Sequence, residues 1–183
     1  CHGKKLKNEH LEKYISKGCY DYTFQHLDYR FPDICLPSFN PEVESLEKVW
    51  FLIDVSGSVN NRLLREFYSE ILHMLTKYQA VSCDVSFFST KTTKPVTFKN
   101  ERELIATSKN VRSSGGTSFT QIFRAKETYY PNANPKLMII FTDGYASYPS
   151  SNPCPSIPII WMMYRNKNDA PFSGNCFYHK NCF

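Results

Sequence analysis

Three nearly unbroken apolar runs, separated by helical patterns, constrain the fold of this chain more than any other feature. The runs are VWFLID at 49–54, KLMIIFT at 136–142 and IPIIWMMY at 157–164. A strand is continuously apolar when both faces of its sheet are covered. Residues 61–78 space their apolar side chains by three and four, which is typical of an amphipathic helix. This alternation predicts an α/β fold: a Rossmann-like, doubly wound, mostly parallel sheet with helices on both faces.

Shorter patterns complete the alternation. Residues 81–89 predict a second strand, and residues 94–99 predict a short third strand that pairs with it as a hairpin. Helical patterns follow at 101–111 and 120–130, and an edge strand is expected near Phe177. The order of elements is therefore that of a single α/β domain.

The first 47 residues follow a different pattern. Apolar residues from Leu6 to Ile15, with Gly18 as a stop signal, predict a short helix, and the proline-rich YRFPDICLPSFNPE predicts an extended segment. We expect residues 1–47 to be a helical and extended segment that packs on the core. Because the chain lacks an initial Met, we expect this segment to be the end of a missing upstream region. Residues 48–183 form the main domain.

The composition indicates in which cellular compartment the chain is expected and which classes of partner are not expected. The 183-residue chain has a net charge of +5, and its basic residues are scattered among acids without an arginine-rich arm, so a nucleic-acid partner is not expected. No apolar run approaches the ~20 residues that span a bilayer, and the polar start CHGKKLKNEH is unlike a signal peptide. We therefore expect a cytoplasmic domain without a membrane partner, whose seven cysteines are reduced thiols.

Soft metal ligands are concentrated in the C-terminal tail. Cys176, His179 and Cys182 lie close in sequence, and Cys154 could supply a fourth ligand. These residue types bind zinc, but their spacing is not the paired pattern of structural zinc sites. Free thiols are the favoured interpretation, and a zinc site is the alternative.

Three loops carry oxygen-bearing side chains at the ends of strands or the start of a helix. Asp54, Ser56 and Ser58 follow the first strand, Thr117 lies in the glycine-rich SSGGTSF, and Asp143 follows the strand KLMIIFT. In open parallel sheets, ligands bind beyond the carboxyl ends of the strands, where the strand order reverses. The two glycines of GGT are expected to let the backbone approach closely enough to bring Thr117 to the same edge.

Carboxylates and hydroxyls without sulfur or imidazole suit a hard cation. Mg²⁺ is the best match, with Mn²⁺ or Ca²⁺ as alternatives. Each loop also has a simpler interpretation when taken alone. Ser58 could be a helix N-cap, Asp143–Gly144 is a common turn signal, and GGT is a flexible turn. Their joint order at strand ends favours the metal site.

At these positions the chain resembles a known family. DVSGS, SGGTSF and TDG look like the DxSxS, Thr and Asp parts of the metal-ion-dependent adhesion site (MIDAS) of von Willebrand factor A (VWA) domains. The resemblance covers roughly 49–164 and is closest to a bacterial subgroup, DUF2201, the VWA-like domain that follows a metallopeptidase domain. That subgroup typically shows DTSGS, GGGTDF, TDGYG and PVLWV, where this chain has DVSGS, SGGTSF, TDGYASYP and PIIWMM.

The resemblance implies a role for each matching residue. Ser56, Ser58 and Thr117 would bind the ion directly, whereas Asp54 and Asp143 would act mostly through waters or from behind the ligands. The chain departs from the subgroup at Ser118, where Asp is frequent, and the lost charge is expected to lower the affinity for the cation. No HExxH motif is present, so no peptidase activity is ascribed to this chain.

The leading functional hypothesis is a metal-dependent protein-binding module and not an enzyme. A partner carboxylate would fill an open position on the ion, and the resemblance implies an adaptor role beside a MoxR-type AAA+ ATPase. The rim that contacts the partner is expected to include Asn60, Gly116 and Tyr145.

Two alternatives remain open. One is a magnesium-dependent phosphatase of haloacid-dehalogenase type with Asp54 as nucleophile. That chemistry needs a second acid two residues later, where this chain has Ser56, and a further acid pair, where Gly144 follows Asp143. The other alternative is a scaffold domain with a vestigial metal site.

Overall fold

The computed structural model describes residues 15–16, 22–23, 38–39, 45–46, 48–77, 79–80, 83–98, 100–108, 115–164 and 175–178. In chain order the elements are β1 (Ile15–Ser16), β2 (Tyr22–Thr23), β3 (Ser38–Phe39), β4 (Ser45–Leu46), β5 (Val49–Asp54), α1 (Asn61–Lys77), β6 (Gln79–Ala80), β7 (Cys83–Phe88), β8 (Val96–Phe98), α2 (Glu101–Ser108), α3 (Thr120–Tyr129), β9 (Leu137–Thr142), β10 (Ile159–Met163) and β11 (Asn175–Tyr178).

A six-stranded sheet forms the centre of the fold. Its strand order is β11-β10-β9-β5-β7-β8, and every neighbouring pair is parallel except β7 and β8, which are antiparallel. From β5 the chain builds outward through β7 and β8, and then returns to β9 on the other side of β5. The strand order therefore reverses between β5 and β9, which is where a doubly wound sheet opens a crevice for a ligand.

Side chains of β5 alternate between two apolar cores. Val49, Phe51 and Ile53 lie in one core with the buried face of α1, whereas Trp50 and Leu52 lie in the other with α3. Burial of β5, β7, β9 and β10 is complete along their lengths, which explains why β5, β9 and β10 are nearly continuous apolar runs. The alternating polar residues of β7, Asp84 and Ser86, are buried with hydrogen-bond partners. The predicted arrangement of helices on both faces is confirmed.

Helix α1 buries one stripe of its surface. Leu63, Phe67, Ile71 and Met74 are spaced by three and four and face the sheet. The Phe67 ring lies 5.5 Å from that of Phe141 on β9. This packing fixes α1, and with it the loop that leads from β5, against the centre of the sheet.

Most predicted elements of the main domain are present. The hairpin of β7 and β8, the helices α2 and α3 and the edge strand β11 all lie where their patterns placed them. Ile15–Ser16, at the end of the predicted N-terminal helix, form a strand pair with β4. Residues 6–14 lie outside the described residues, as does most of the segment 1–47, so its predicted packing on the core stays a prediction.

Candidate metal-binding site

Asp54 ends β5 and is fully buried. Its Oδ1 accepts a hydrogen bond from the Ser56 amide at 2.9 Å, and its Oδ2 accepts one from the Thr142 hydroxyl at 2.6 Å. Thr142 is the last residue of β9, the strand beside β5. The carboxylate is therefore held from two sides at the point where the strand order reverses.

The loop after Asp54 curls so that both serine hydroxyls face the same point. Ser56 Oγ lies 3.2 Å from Ser58 Oγ, and a turn is closed by the Val59 amide on the Ser56 carbonyl at 3.0 Å. Ser56 is buried, whereas Ser58 is exposed. The two hydroxyls predicted as ligands are thus adjacent, one below and one at the surface.

The alternative interpretation of Ser58 as the helix N-cap is wrong. The cap is Asn60, whose Oδ1 accepts the Leu63 amide at 2.9 Å. This satisfies one of the free amides at the start of α1. Asn60 is exposed as predicted for the rim, although its side-chain oxygen already has this structural role.

Asp143 lies directly after β9 and is also fully buried. Its Oδ1 accepts a long hydrogen bond from the Tyr145 amide at 3.3 Å, whereas Oδ2 has no hydrogen-bond partner among the described residues. Gly144 has a φ of 82°, and this left-handed turn directs its amide to the Thr142 hydroxyl at 3.0 Å. A buried, ionisable oxygen without a partner requires an explanation.

Two backbone hydrogen bonds bring the Thr117 loop to the same edge. The Gly57 amide donates to the Gly115 carbonyl at 3.1 Å, and the Ser118 amide donates to the Ser89 carbonyl at 2.9 Å. Thr117 lies between these two anchors and is half-buried. Phe119 then fixes the start of α3, since its ring stacks on that of Tyr148 at 4.7 Å.

The Thr117 loop approaches the serine loop through Gly115, as expected for GGT, but this approach does not require a glycine at position 116. A Cβ built at Gly116 would meet nothing within 4 Å, and the described residues with positive φ are Lys48 and Gly144. Gly116 instead faces open space, as the predicted rim requires. Tyr145, the third rim residue, is 58% exposed.

The electrostatics of the site are those of two buried acids in adjacent loops. Burial raises the pKa of Asp54 above its ordinary value, and the negative charge of Asp143 adds a smaller increase. The hydrogen bonds from Thr142 and Ser56 oppose this increase in pKa but do not cancel it. A cation at this position would favour the charged forms of both acids.

These donor atoms fit a hard divalent cation. They are all oxygens, they converge at one edge, and one of them, Asp143 Oδ2, lacks a hydrogen bond from any described residue. In the described part of the chain, no cluster of three or more His, Cys, Asp or Glu could hold a metal ion. The candidate site does not depend on such a cluster, because hydroxyls complete its ligand set. Of the zinc alternative, Cys154 is buried, whereas His179 and Cys182 lie outside the described residues.

Thr142 is a residue that the sequence reasoning missed. Its hydroxyl donates to Asp54 and accepts from Gly144, so it connects the first and third loops. The signal was available in the motif TDG, because the residue before Asp143 ends a strand predicted to neighbour β5. Nothing in the local pattern, however, showed that this threonine would face the acid.

A doubly wound sheet with buried acids at the carboxyl ends of its two central strands, and hydroxyl-bearing loops beside them, defines a VWA-like α/β domain. The sequence profile of the VWA-like domain DUF2201 matches residues 49–176. The chain therefore belongs to this family, as the resemblance of its motifs indicated.

Solved structures agree on the fold. The SpRpn10 VWA domain superposes with a TM-score of 0.57 at 8% identity, covering 73% of this chain and 87% of that one. The conserved hypothetical protein BatB from Bacteroides thetaiotaomicron gives 0.51 at 14%, covering 69% and 70%. Proximal thread matrix protein 1 from the mussel byssus gives 0.52 at 14% identity over 66% of this chain, which spans only 38% of that protein.

Comparison with curated proteins gives no match. Within the described part of the chain, no helix is both long and apolar enough to cross a membrane. VWA-like domains are generally non-catalytic interaction modules, so the family indicates an interaction or scaffold domain.

Proposed function

We propose that this domain is a MIDAS-type, metal-dependent protein-binding module. In this proposal a Mg²⁺ ion is held by Ser56, Ser58 and Thr117, with Asp54 and Asp143 acting through waters or from behind these ligands. Mn²⁺ and Ca²⁺ are the alternative ions. When bound, the cation supplies an electrophilic position that can take a carboxylate oxygen from a partner protein.

The buried, unpartnered oxygen of Asp143 carries the proposal. A carboxylate oxygen in an apolar interior without a hydrogen bond costs several kcal/mol unless a proton or a cation compensates it. Asp143 Oδ2 has no hydrogen-bond partner among the described residues, and the second buried acid, Asp54, belongs to the adjacent loop. A divalent cation beside both acids removes this cost.

The chain's own residues prepare the site. Thr142 and the Ser56 amide hold the Asp54 carboxylate in one orientation, and the turn at Gly144 orients Asp143. With two carboxylates against a double positive charge, the ion keeps a demand for further oxygen ligands. A partner Asp or Glu can supply such an oxygen. The described residues place no additional acid or base at the site, so the arrangement favours binding of a carboxylate over catalysis.

The proposed partner surface is the rim around the site. Asn60 and Gly116 are exposed there, and Tyr145 offers a large aromatic side chain. The family resemblance supports an adaptor role, and we propose that the domain binds a MoxR-type AAA+ ATPase in the cytoplasm. Mixing experiments with such an ATPase, with and without Mg²⁺, test it.

No observation favours the phosphatase alternative. The residue two positions after Asp54 is Ser56, which contacts Ser58, and Gly144 follows Asp143 in a left-handed turn. A second acid is thus missing at both places where that chemistry needs one. The scaffold alternative differs from the proposal in a single measurable respect, which is metal binding.

Isothermal titration calorimetry with Mg²⁺ tests the proposal. We expect the parent chain to bind one ion, and Asp143→Asn and Thr117→Val to lower the affinity by about ten-fold or more. Gly116→Ala is the matched control, because its new methyl group enters open space in the same loop as Thr117. Equal binding by all four proteins would place the ion elsewhere, and no binding by the parent would support the scaffold alternative.

A further inference from the structure

In the loops around the candidate site, the negative charge is buried and the positive charges are exposed. The described loops at this edge are 55–60, 89–95, 115–119 and 143–149. Their charged residues are Asp143, which is fully buried, and Lys91 and Lys94, which are exposed. An incoming partner therefore meets positive charge at the surface before it reaches the acids below.

The helices that begin at this edge do not offset that charge. Neither α1 nor α3 has an acidic residue in its first turn, although acids are favoured there by the helix dipole. Neither Lys91 nor Lys94 forms an ion pair with another residue that the structure describes. Both lysines are exposed, and no described residue neutralises their charge.

The lysines belong to a loop that is fixed beside the site. The Val55 amide donates to the Phe88 carbonyl at 3.0 Å, and the Ser118 amide donates to Ser89. The first bond joins the serine loop to Phe88, the last residue of β7, and the second joins the Thr117 loop to Ser89, the first residue of the β7–β8 loop at 89–95. Its position relative to the candidate ligands is therefore set by backbone hydrogen bonds.

The same loop is also ordered internally. The Thr93 amide donates to the Phe87 carbonyl at 2.8 Å, and the Phe87 amide donates to Thr93 Oγ1 at 2.9 Å. The Ser89 amide closes a turn on the Lys91 carbonyl at 3.0 Å. A rigid loop presents its charges with less loss of backbone entropy on binding.

From this arrangement we infer that the partner presents an acid-rich segment and not a lone carboxylate. One Asp or Glu of the segment takes the open metal position, and flanking acids contact Lys91 and Lys94. This inference rests on the proposed function, since it adds a second recognition element to the same site. The lysines raise the encounter rate and select among carboxylate-bearing partners.

Fluorescence anisotropy with two labelled peptides of equal length tests the inference. One has a single central aspartate in a glycine–serine background, and the other has two glutamates on each side of that aspartate. In Mg²⁺ we expect the acid-rich peptide to bind about five-fold more tightly, as two exposed ion pairs allow. Raising the ionic strength should reduce this preference.

Charge reversal assigns the preference to the loop. Lys91→Glu with Lys94→Glu should abolish the preference, whereas the double Lys→Arg variant should retain it. The control is Lys136→Glu, because Lys136 is also exposed but precedes β9 at the opposite edge of the sheet. Thermal melts of each variant establish that it is folded.

The outcomes separate this inference from the proposed function. Equal, Mg²⁺-dependent affinity for both peptides overturns the acid-rich partner and leaves the metal-dependent module intact. Loss of Mg²⁺ dependence for both peptides contradicts the proposed function itself. Displacement of the acid-rich peptide by oligothymidylate without Mg²⁺ would assign the lysines to a nucleic acid and would also overturn the inference.

Discussion

Asp143 combines complete burial with an oxygen that no described residue satisfies, and the residue after it makes this geometry possible. Gly144 adopts a φ of 82°, in the region that a Cβ disfavours. Its turn positions two backbone amides: that of Gly144 donates to the Thr142 hydroxyl, and that of Tyr145 donates to the Asp143 carboxylate. A single backbone conformation therefore orients an acid and its neighbour together.

Alanine at Gly144 tests this conformation. We expect Gly144→Ala to lower the free energy of unfolding by about 1–2 kcal/mol, the cost of placing a Cβ in a left-handed conformation. Gly116→Ala should cause no comparable loss, because its φ is not positive and its Cβ meets no atom within 4 Å. Urea denaturation of both variants measures the difference, and equal stability of the two would refute this account of the turn.

Ser118 is the position where the chain departs from its family. Its amide is held by Ser89, and its side chain is half-buried next to Thr117. We expect Ser118→Asp to raise Mg²⁺ affinity several-fold, since a negative charge returns to the neighbourhood of the cation. Ser118→Asn is the control for size, and calorimetry in which both variants bind alike would contradict the electrostatic explanation.

At the scale of elements, the contact between β5 and β9 assembles the site. Asp54 and Thr142 end neighbouring parallel strands and are joined by a hydrogen bond of 2.6 Å. Thr142 also accepts the Gly144 amide, so one hydroxyl connects both strand ends. This threonine positions Asp54 and is not proposed as a ligand.

Replacement of Thr142 by valine removes the hydroxyl with little change in shape. We expect Thr142→Val to cost about 1–3 kcal/mol in the free energy of unfolding, because it leaves a buried carboxylate oxygen and an amide without their partner. Mg²⁺ affinity should fall about ten-fold, as it does when an outer-shell contact is lost. Thr142→Ser, which keeps the hydroxyl, should restore most of the affinity. Failure of serine to do so would assign the effect to packing.

The sequence predicted the elements well because both the strands and α1 are strongly patterned. β5 and β9 are apolar along their length and end on polar residues, so their identity and the edge that they share followed from the pattern. The hydrogen-bond partners could not be predicted in the same way. Both Ser58 and Asn60 are residue types that cap helices, and the sequence did not show which of them caps α1. The role of Thr142 depends on the register between two strands, since Thr142 and Asp54 are 88 residues apart along the chain. Such contacts are set by tertiary packing.

The two glycines Gly144 and Gly116 differ in whether their backbone conformation requires a glycine. Gly144 needs its left-handed φ, whereas Gly116 has ordinary φ and open space around it. A sequence shows that glycine is present but not whether the backbone at that position requires one, as it does at Gly144 and does not at Gly116. Only the backbone geometry distinguishes a turn residue from a rim residue.

At the scale of the whole molecule, the sheet separates two cores, and a third buried acid, Asp84, lies towards its amino-terminal edge. Asp84 on β7 accepts hydrogen bonds from Tyr130 Oη at 2.5 Å and from Thr97 Oγ1 at 2.6 Å. Tyr130 also packs its ring 4.9 Å from that of Trp50. This network ties the end of α3 to the sheet, far along the strands from the candidate site.

Buried groups near Asp84 make the fold sensitive to alkali. Burial, with a smaller effect of Asp84, raises the pKa of Cys83 from 9.0 to about 12, and burial with the same carboxylate raises the pKa of Tyr130 above its usual 10.0. The folded state therefore keeps protons that the unfolded chain releases. Stability should be independent of these groups below about pH 9 and fall as the pH rises from there towards 12.

Cys83→Ala isolates one of these protons. In that variant the free energy of unfolding should fall less steeply between pH 9 and 12, by up to about 1.4 kcal/mol per pH unit relative to the parent. Urea denaturation across this pH range measures both slopes. Identical slopes would show that the Cys83 thiol does not resist ionisation in the folded state.

The central claim concerns the position of the ion. It is tested most directly by soaking crystals of the parent chain in Mn²⁺ and computing an anomalous difference map. We expect a peak about 2.2 Å from the hydroxyls of Ser56, Ser58 and Thr117, with Asp54 and Asp143 beside it. The peak should disappear in Asp143→Asn crystals soaked identically. A map with no peak at this edge of the sheet, or with its peak at the cysteines and histidine of the C-terminal tail, would contradict the account.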